Sequence, residues 1–269
     1  MKLATQDKPF FPTDFKDKFD YVRGLGFEAF EIDGKDLVRN FEEVKAASEQ
    51  ASLPVVTACG GYNGWIGDFD EKKRENGIRE IQEILKCLGE IGGKGIVIPA
   101  AWGMFSKRLP PMVPPRTEQE DREVLLDSLG KLNETAVETD TKIYLEPLNR
   151  YEDYMINKLQ YAQELIKEGN FSSVEIIADF FHMNIEEPKM DESLTAVKEQ
   201  LGHVHIADSN RFEPGNAHLD FLPGFEALKQ IGYEGYLAFE CRVLGEPAEE
   251  RYAQSVTYIK KCLKEIGVS

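Results

Sequence analysis

Eight short apolar runs recur along the chain, each followed by a longer amphipathic or polar stretch, and that alternation leaves few folds open. The runs are Lys2–Gln6, Phe27–Asp33, Pro54–Cys59, Gly95–Ala101, Lys142–Leu148, Val174–Phe181, His203–Asp208 and Tyr236–Cys241. Their length, roughly four to eight residues, and their β-branched and aromatic content favour strands over buried helices. Between runs, Glu71–Ile91 sets Ile78, Ile81, Ile84, Leu85 and Leu88 on one helical stripe. Glu118–Glu138 does the same with Val124, Leu125, Leu129 and Leu132. Glycines at Gly24-Leu25-Gly26, Gly92-Gly93 and Gly232 precede the next run, where helix C-terminal caps belong.

Strict alternation of strand and helix implies a parallel sheet with right-handed crossovers. Eight such strands can close into a barrel or lie open as a doubly wound sheet. After the first run the chain reads Thr5-Gln6-Asp7-Lys8-Pro9, which cannot serve as the glycine-rich phosphate turn of a dinucleotide fold. No linker or composition break interrupts the 269 residues, a length usual for a closed barrel. The expected fold is α/β: one (β/α)8 barrel domain spanning residues 1–269.

Charge and cysteine content narrow the partners. A formal net charge of −16 argues against a nucleic-acid partner, because binding along phosphates draws on a basic face. The N-terminus lacks the apolar run of a signal peptide, and no stretch approaches the roughly 18 to 20 apolar residues of a membrane span. Cys59, Cys87, Cys241 and Cys262 are scattered, with no CxxC pair, which suits free thiols in a reducing cytoplasm. A cytoplasmic enzyme that touches neither membrane nor nucleic acid is expected, as a homo-oligomer, with a hetero-subunit left open.

Two segments following strands stand out, since such loops line the catalytic face of a barrel. Trp102–Arg116 is long and rich in proline and large apolar groups. It reads either as a lid over the site, with Trp102 on substrate, or as a rigid surface loop or subunit contact. Gly60–Asp70, with Tyr62 and Trp65, is placed similarly after the third run.

Four successive runs in the second half each carry a metal-competent side chain near the C-terminal end: Glu146, Asp179, His205 and Glu240. An unpaired charge buried there is costly, and a shared cation removes that cost. Three carboxylates and one imidazole make a hard site with room for two further ligands. One divalent ion is expected, Mn²⁺ first, with Mg²⁺, Co²⁺ or Fe²⁺ as alternatives; a cysteine-type zinc site fits poorly. Two vicinal oxygens of a sugar could complete the shell, and the ion would stabilise an enediolate as the carbon between them loses its proton. Glu146 and Glu240 each keep a second oxygen for use as acid or base.

These segments resemble the xylose-isomerase-like superfamily of TIM barrels (sugar phosphate isomerases and epimerases), and within it the D-tagatose/D-psicose 3-epimerase group. The resemblance lies in Leu145-Glu146-Pro147-Leu148-Asn149-Arg150-Tyr151-Glu152, in Asp179-Phe180-Phe181-His182-Met183-Asn184, in His203-Val204-His205 running on to Arg211, and in Phe239-Glu240. It implies a metal-dependent epimerase, with Glu146 and Glu240 as the acid/base pair. It further implies substrate contacts from Glu152, His182 and Arg211. Residues 211–221 depart from the psicose enzymes, and the first half of the chain carries no matching substrate signature.

The same first proton removal also opens a lyase or dehydratase course on a keto sugar, inosose or keto-glycoside. A non-catalytic barrel subunit and an endonuclease-IV-like phosphodiesterase are the readings of other classes. Only four histidines and the acidic charge oppose the phosphodiesterase, and the paired glutamates oppose the inert subunit. Among the remaining polar residues, His203 is expected to point outward, and His218 to lie in a loop or touch the pocket. Arg150 and Arg242 are expected to pair with surface acids. Asp208 and Asn149 either orient metal ligands or cap loops.

Overall fold

The computed structural model describes residues 1–106 and 113–268. Eight parallel strands close into a barrel in chain order: β1 (Lys2–Thr5), β2 (Ala29–Ile32), β3 (Val55–Cys59), β4 (Gly95–Pro99), β5 (Lys142–Glu146), β6 (Val174–Asp179), β7 (Leu201–Ile206) and β8 (Tyr236–Phe239). The ring closes where β1 pairs with β8, from Lys2 opposite Tyr236 to Thr5 opposite Phe239. The barrel expected from the alternation is therefore the fold, and the open sheet is not.

Local sequence sets the helix ends. The helix Glu71–Ile91 starts at Asp70, whose side chain accepts from the backbone N–H groups of Lys72 and Lys73. It stops at Gly92, whose φ of 79° is a left-handed conformation that glycine adopts without a Cβ penalty. The helix Glu118–Glu138 opens on a reciprocal capping box between Thr117 and Glu120.

Alternate strand residues face opposite sides, and the packing follows that period. Ile143, Leu145, Ile176, Val204, Ile206, Leu237 and Phe239 join the large apolar layer between barrel and helices. Val97, Tyr144 and Ile177, at the intervening positions, form a separate small cluster with Cys59 against it. The positions two residues beyond Tyr144 and Ile177 are Glu146 and Asp179, so the same inward side ends in carboxylates at the C-terminal rim. Among the described residues no helix is long and apolar enough to cross a membrane.

Candidate active site

Sheet register gathers the four strand-end residues. Asp179 lies opposite His205 across β6 and β7, and Glu146 lies opposite Pro99 across β4 and β5. Glu240 follows β8 by one residue. Ligand atoms of Glu146, Asp179, His205 and Glu240 all fall within 4.8 Å of one another. His205 Nδ1 is the hub, 2.7 Å from Glu240 Oε2, 3.7 Å from Glu146 Oε1 and 3.9 Å from Asp179 Oδ2. Asp179 divides its two oxygens between tasks. Oδ1 caps the helix Phe180–Glu186 by accepting from Phe181 N at 2.8 Å, which leaves Oδ2 for the cluster.

The cluster fits a hard divalent ion. Glu146 Oε1 is buried and has no hydrogen-bond partner, a costly condition that a cation relieves. The donors are three carboxylates and one imidazole nitrogen, chemistry that suits an oxygen-preferring metal. Arg211 supplies positive charge at the same place, its Nη1 2.5 Å from Asp179 Oδ2 and its Nη2 2.5 Å from Glu240 Oε2. Its guanidinium stacks on Phe181 at 4.8 Å, and its backbone holds a left-handed φ of 65°.

The two glutamates sit in opposed electrostatic surroundings. Burial and then the Glu240 charge raise the Glu146 carboxyl above its ordinary range. Glu240 is held well below that range, because Arg211 and His205 outweigh the upward push of burial. Carboxyls driven apart in this way are the usual basis for splitting acid and base roles.

His182 is oriented by Asn149. Its Nδ1 faces the Asn149 backbone N–H at 3.1 Å and the Asn149 side-chain nitrogen at 2.8 Å. Accepting there puts the ring proton on Nε2, which faces Glu146 Oε1 at 4.0 Å and Asp179 Oδ2 at 3.8 Å. Asn149 also donates to Glu152 Oε1 at 2.9 Å, and Glu152 Oε2 accepts from Trp102 Nε1 at 2.9 Å. Glu152, His182, Arg211 and Trp102 thus connect to the cluster or to one another.

The described parts of the Trp102–Arg116 segment rest on the rim: Phe105 packs edge-on against Phe69 and Tyr154, and Arg116 pairs with Asp121 at 2.7 Å. Residues 107–112 of that segment, on which the lid reading partly depends, lie outside the described residues.

Two buried charged residues, Glu31 and Lys8, were not among the expected site residues. Glu31, in the middle of β2, is fully buried at the barrel centre. It accepts from Thr57 Oγ1 at 2.6 Å and Gln6 Nε2 at 2.9 Å, and it contacts His203 Nε2 at 2.9 Å. His205 Nε2 lies 2.8 Å from its other oxygen, an ion-pair contact without the alignment of a full hydrogen bond. Burial pushes the Glu31 carboxyl up, but His205 and His203 together hold it well below the usual carboxylate range. The signal was present as a lone acid inside Ala29-Phe30-Glu31-Ile32. Lys8 was also missed; it is buried, and its Nζ donates at 3.2 Å to the carbonyl of Phe239, next to Glu240.

His203 is a correction. It was expected to point outward, yet it is buried against Tyr144, with ring centroids 5.3 Å apart, and it reaches Glu31. Residues 203 and 205 are two apart, so they share a side of the strand.

Asp208 takes the capping role: its oxygens accept from the backbone of Ser209, Gly215 and Leu219. Arg150 does pair with an acid, but with the buried Glu186, through two bonds of 2.9 Å. Arg242 makes no ion pair among the described residues; its backbone N–H donates to Arg211 O at 3.0 Å. His218 is an exposed loop residue beside Ser209. All four cysteines are free thiols.

Known proteins align with this geometry over nearly the whole chain. The 3-dehydro-D-guloside 4-epimerase of Escherichia coli (strain K12) is 51% identical over 262 residues, covering 97% of this chain and 100% of that protein. A crystal structure of 3-keto-D-glucoside 4-epimerase from E. coli superposes with a TM-score of 0.96 at 51% identity, covering 97% of this chain and 100% of that one. A D-psicose 3-epimerase of Enterocloster bolteae is 29% identical over 84% of this chain and 76% of its own length. These relatives are epimerases, so the chain is an enzyme of the sugar isomerase and epimerase kind, and the elimination reading is not favoured. Residues 19–262 match the family model described as Xylose isomerase-like TIM barrel, and the chain belongs to that family.

Proposed function

We propose that this enzyme inverts C4 of a 3-keto-glycoside by removing and returning a proton, using Glu146 and Glu240 as the acid/base pair. The observation that carries the reading is the pair itself. Two carboxylates from β5 and the end of β8 meet at one imidazole, in a buried cluster at the barrel mouth. Glu146, Asp179, His205 and Glu240 would hold one divalent ion, Mn²⁺ in first place. When bound, such an ion acts as a Lewis acid on two vicinal substrate oxygens and favours loss of the proton between them.

Substrate chemistry supports C4. With C3 oxidised to a ketone, a guloside and a glucoside differ only in the configuration at C4, the carbon beside the carbonyl. One glutamate takes the C4 proton, and the bond electrons pass into a C3–C4 enediolate. The other glutamate, in its acid form, delivers a proton to the opposite face, and solvent restores the two protonation states. His182 donates from Nε2 to a substrate hydroxyl, Glu152 and Arg211 bind neighbouring oxygens, and Trp102 covers the outer part of the sugar. The proposal includes a single barrel domain and a cytoplasmic location, the latter supported by the four free thiols.

A second reading is 3-epimerisation of a free ketose, favoured by the resemblance to a D-psicose 3-epimerase; the acid/base steps are the same. The test is to give the metal-stripped protein methyl 3-keto-D-glucoside or D-psicose, with Mn²⁺, Mg²⁺ or Co²⁺ added back, and follow products by NMR. Formation of the 3-keto-guloside, lost on chelation and restored by Mn²⁺, is expected. Turnover of the ketose alone would replace the substrate assignment, and elimination products would overturn the epimerase chemistry.

A further inference from the structure

Three aromatic rings on the loops after β3 and β4 touch one another in a row. Tyr62 and Trp65, after β3, meet edge to face with centroids 5.7 Å apart, and Trp65 meets Trp102, after β4, at 6.3 Å. The Tyr62 end feels the Glu146 charge. The Tyr62 hydroxyl is buried without a hydrogen-bond partner; burial, then Cys59 and Glu146, push its ionisation well above the ordinary tyrosine range. The outer end is open: Trp102 is 54% exposed, an unusual condition for an indole.

Trp102 is nonetheless fixed in place. Its Nε1 donates to Glu152 Oε2 at 2.9 Å, and the Gly103 backbone N–H donates to the Glu152 carbonyl at 2.8 Å. Glu152 in turn is held by Asn149, which orients His182. A large apolar face that is both exposed and immobilised is pre-organised for a ligand, because its ordering cost has been met before binding.

The geometry of the sugar says what reaches that face. In a pyranose ring C1 stands across from C4. With the C3–C4 edge turned to Glu146 and Glu240, the glycosidic oxygen on C1 points away from the barrel floor, toward the rim. Whatever is joined to C1 leaves toward the rim, where Trp65 and Trp102 stand on the loops after β3 and β4. The Glu152 carboxylate at the foot of Trp102 disfavours an anionic group there.

We infer that Trp65 and Trp102 form a binding platform for the aglycone of a glycoside substrate, and that it takes a neutral ring, either a second sugar or an aryl group. The inference rests on the reading that this enzyme acts on 3-keto-glycosides. It gives the exposed Trp102 a contact beyond the sugar ring itself, which a free ketose, with nothing attached, does not supply.

The experiment compares methyl and phenyl 3-keto-D-glucosides with the Mn²⁺-loaded enzyme. The wild type should show the lower KM for the phenyl compound. Trp102→Ala should reduce kcat/KM for the phenyl glycoside roughly 10-fold more than for the methyl glycoside, the scale of one aromatic contact. Trp102→Phe, which keeps a ring but loses the Glu152 bond, should recover part of that difference. Equal losses on both glycosides in both variants would overturn the platform while leaving glycoside epimerisation standing. Failure of the wild type to epimerise either glycoside would overturn the substrate reading, and the platform with it.

Discussion

Glu31 Oε1 lies 2.8 Å from His205 Nε2, on the side of the imidazole away from Glu240. The contact fixes the ring so that Nδ1 faces the three cluster carboxylates. Carboxylates behind metal-ligating histidines commonly have this effect, and their loss typically costs about 10- to 100-fold in metal affinity. Glu31→Gln should therefore weaken Mn²⁺ binding by about that factor, read by calorimetric titration. The barrel should persist, because Gln keeps the volume and can still bond Thr57. Unchanged affinity in a folded variant would remove Glu31 from any role in orienting the cluster.

His182 should act mainly in binding. Asn149 fixes its tautomer, and its Nε2 proton faces the cluster without a close protein acceptor, at 3.8 Å and 4.0 Å from the nearest carboxylates. His182→Ala removes one hydrogen bond to substrate, worth about 1 kcal/mol. Steady-state kinetics should show KM rising about 5- to 10-fold, with a smaller effect on kcat. A fall confined to kcat would point instead to a part in proton transfer.

Asp153 should make stability depend on pH. It is buried, one of its oxygens has no partner, and burial raises its carboxyl to about 7 against the upward limit its backbone hydrogen bonds impose. The folded value exceeds the unfolded one, so the native state holds the proton more tightly. Its stabilising contribution is complete below about pH 4 and is lost as pH rises through about 7. Asp153→Asn removes the charge, so its Tm relative to wild type should rise between about pH 4 and pH 7 and level off above. Parallel Tm profiles for the two proteins would contradict this assignment.

The fold was legible because hydrophobic period and length are local properties. Each strand proved close to its expected run, and the helices Glu71–Ile91 and Glu118–Glu138 begin and end where the pattern put them. Glu146, Asp179, His205 and Glu240 could be picked out because each lies near the C-terminal end of an apolar run. Glu31 could not be found by that rule, since it lies within its strand and its partners Gln6, Thr57 and His203 are distant in sequence. The inward face of β7 was misjudged at His203, although its two-residue spacing from His205 carried the answer. Whether Asp208 oriented a ligand or capped a loop depended on backbone N–H groups from Gly215 and Leu219, which no spacing reveals.

If one glutamate takes the C4 proton and the other returns a proton to the opposite face, the transferred hydrogen exchanges with solvent. The Mn²⁺-loaded enzyme would be incubated with a 3-keto-D-glucoside in D₂O and the epimer analysed by NMR and mass spectrometry. A two-glutamate relay places one deuterium at C4 of the product. Glu146→Gln and Glu240→Gln should each lose turnover, with about 10²- to 10⁴-fold of the loss assigned to acid–base catalysis. An epimer formed at full rate with hydrogen retained at C4, in the wild type and in both variants, would contradict the relay.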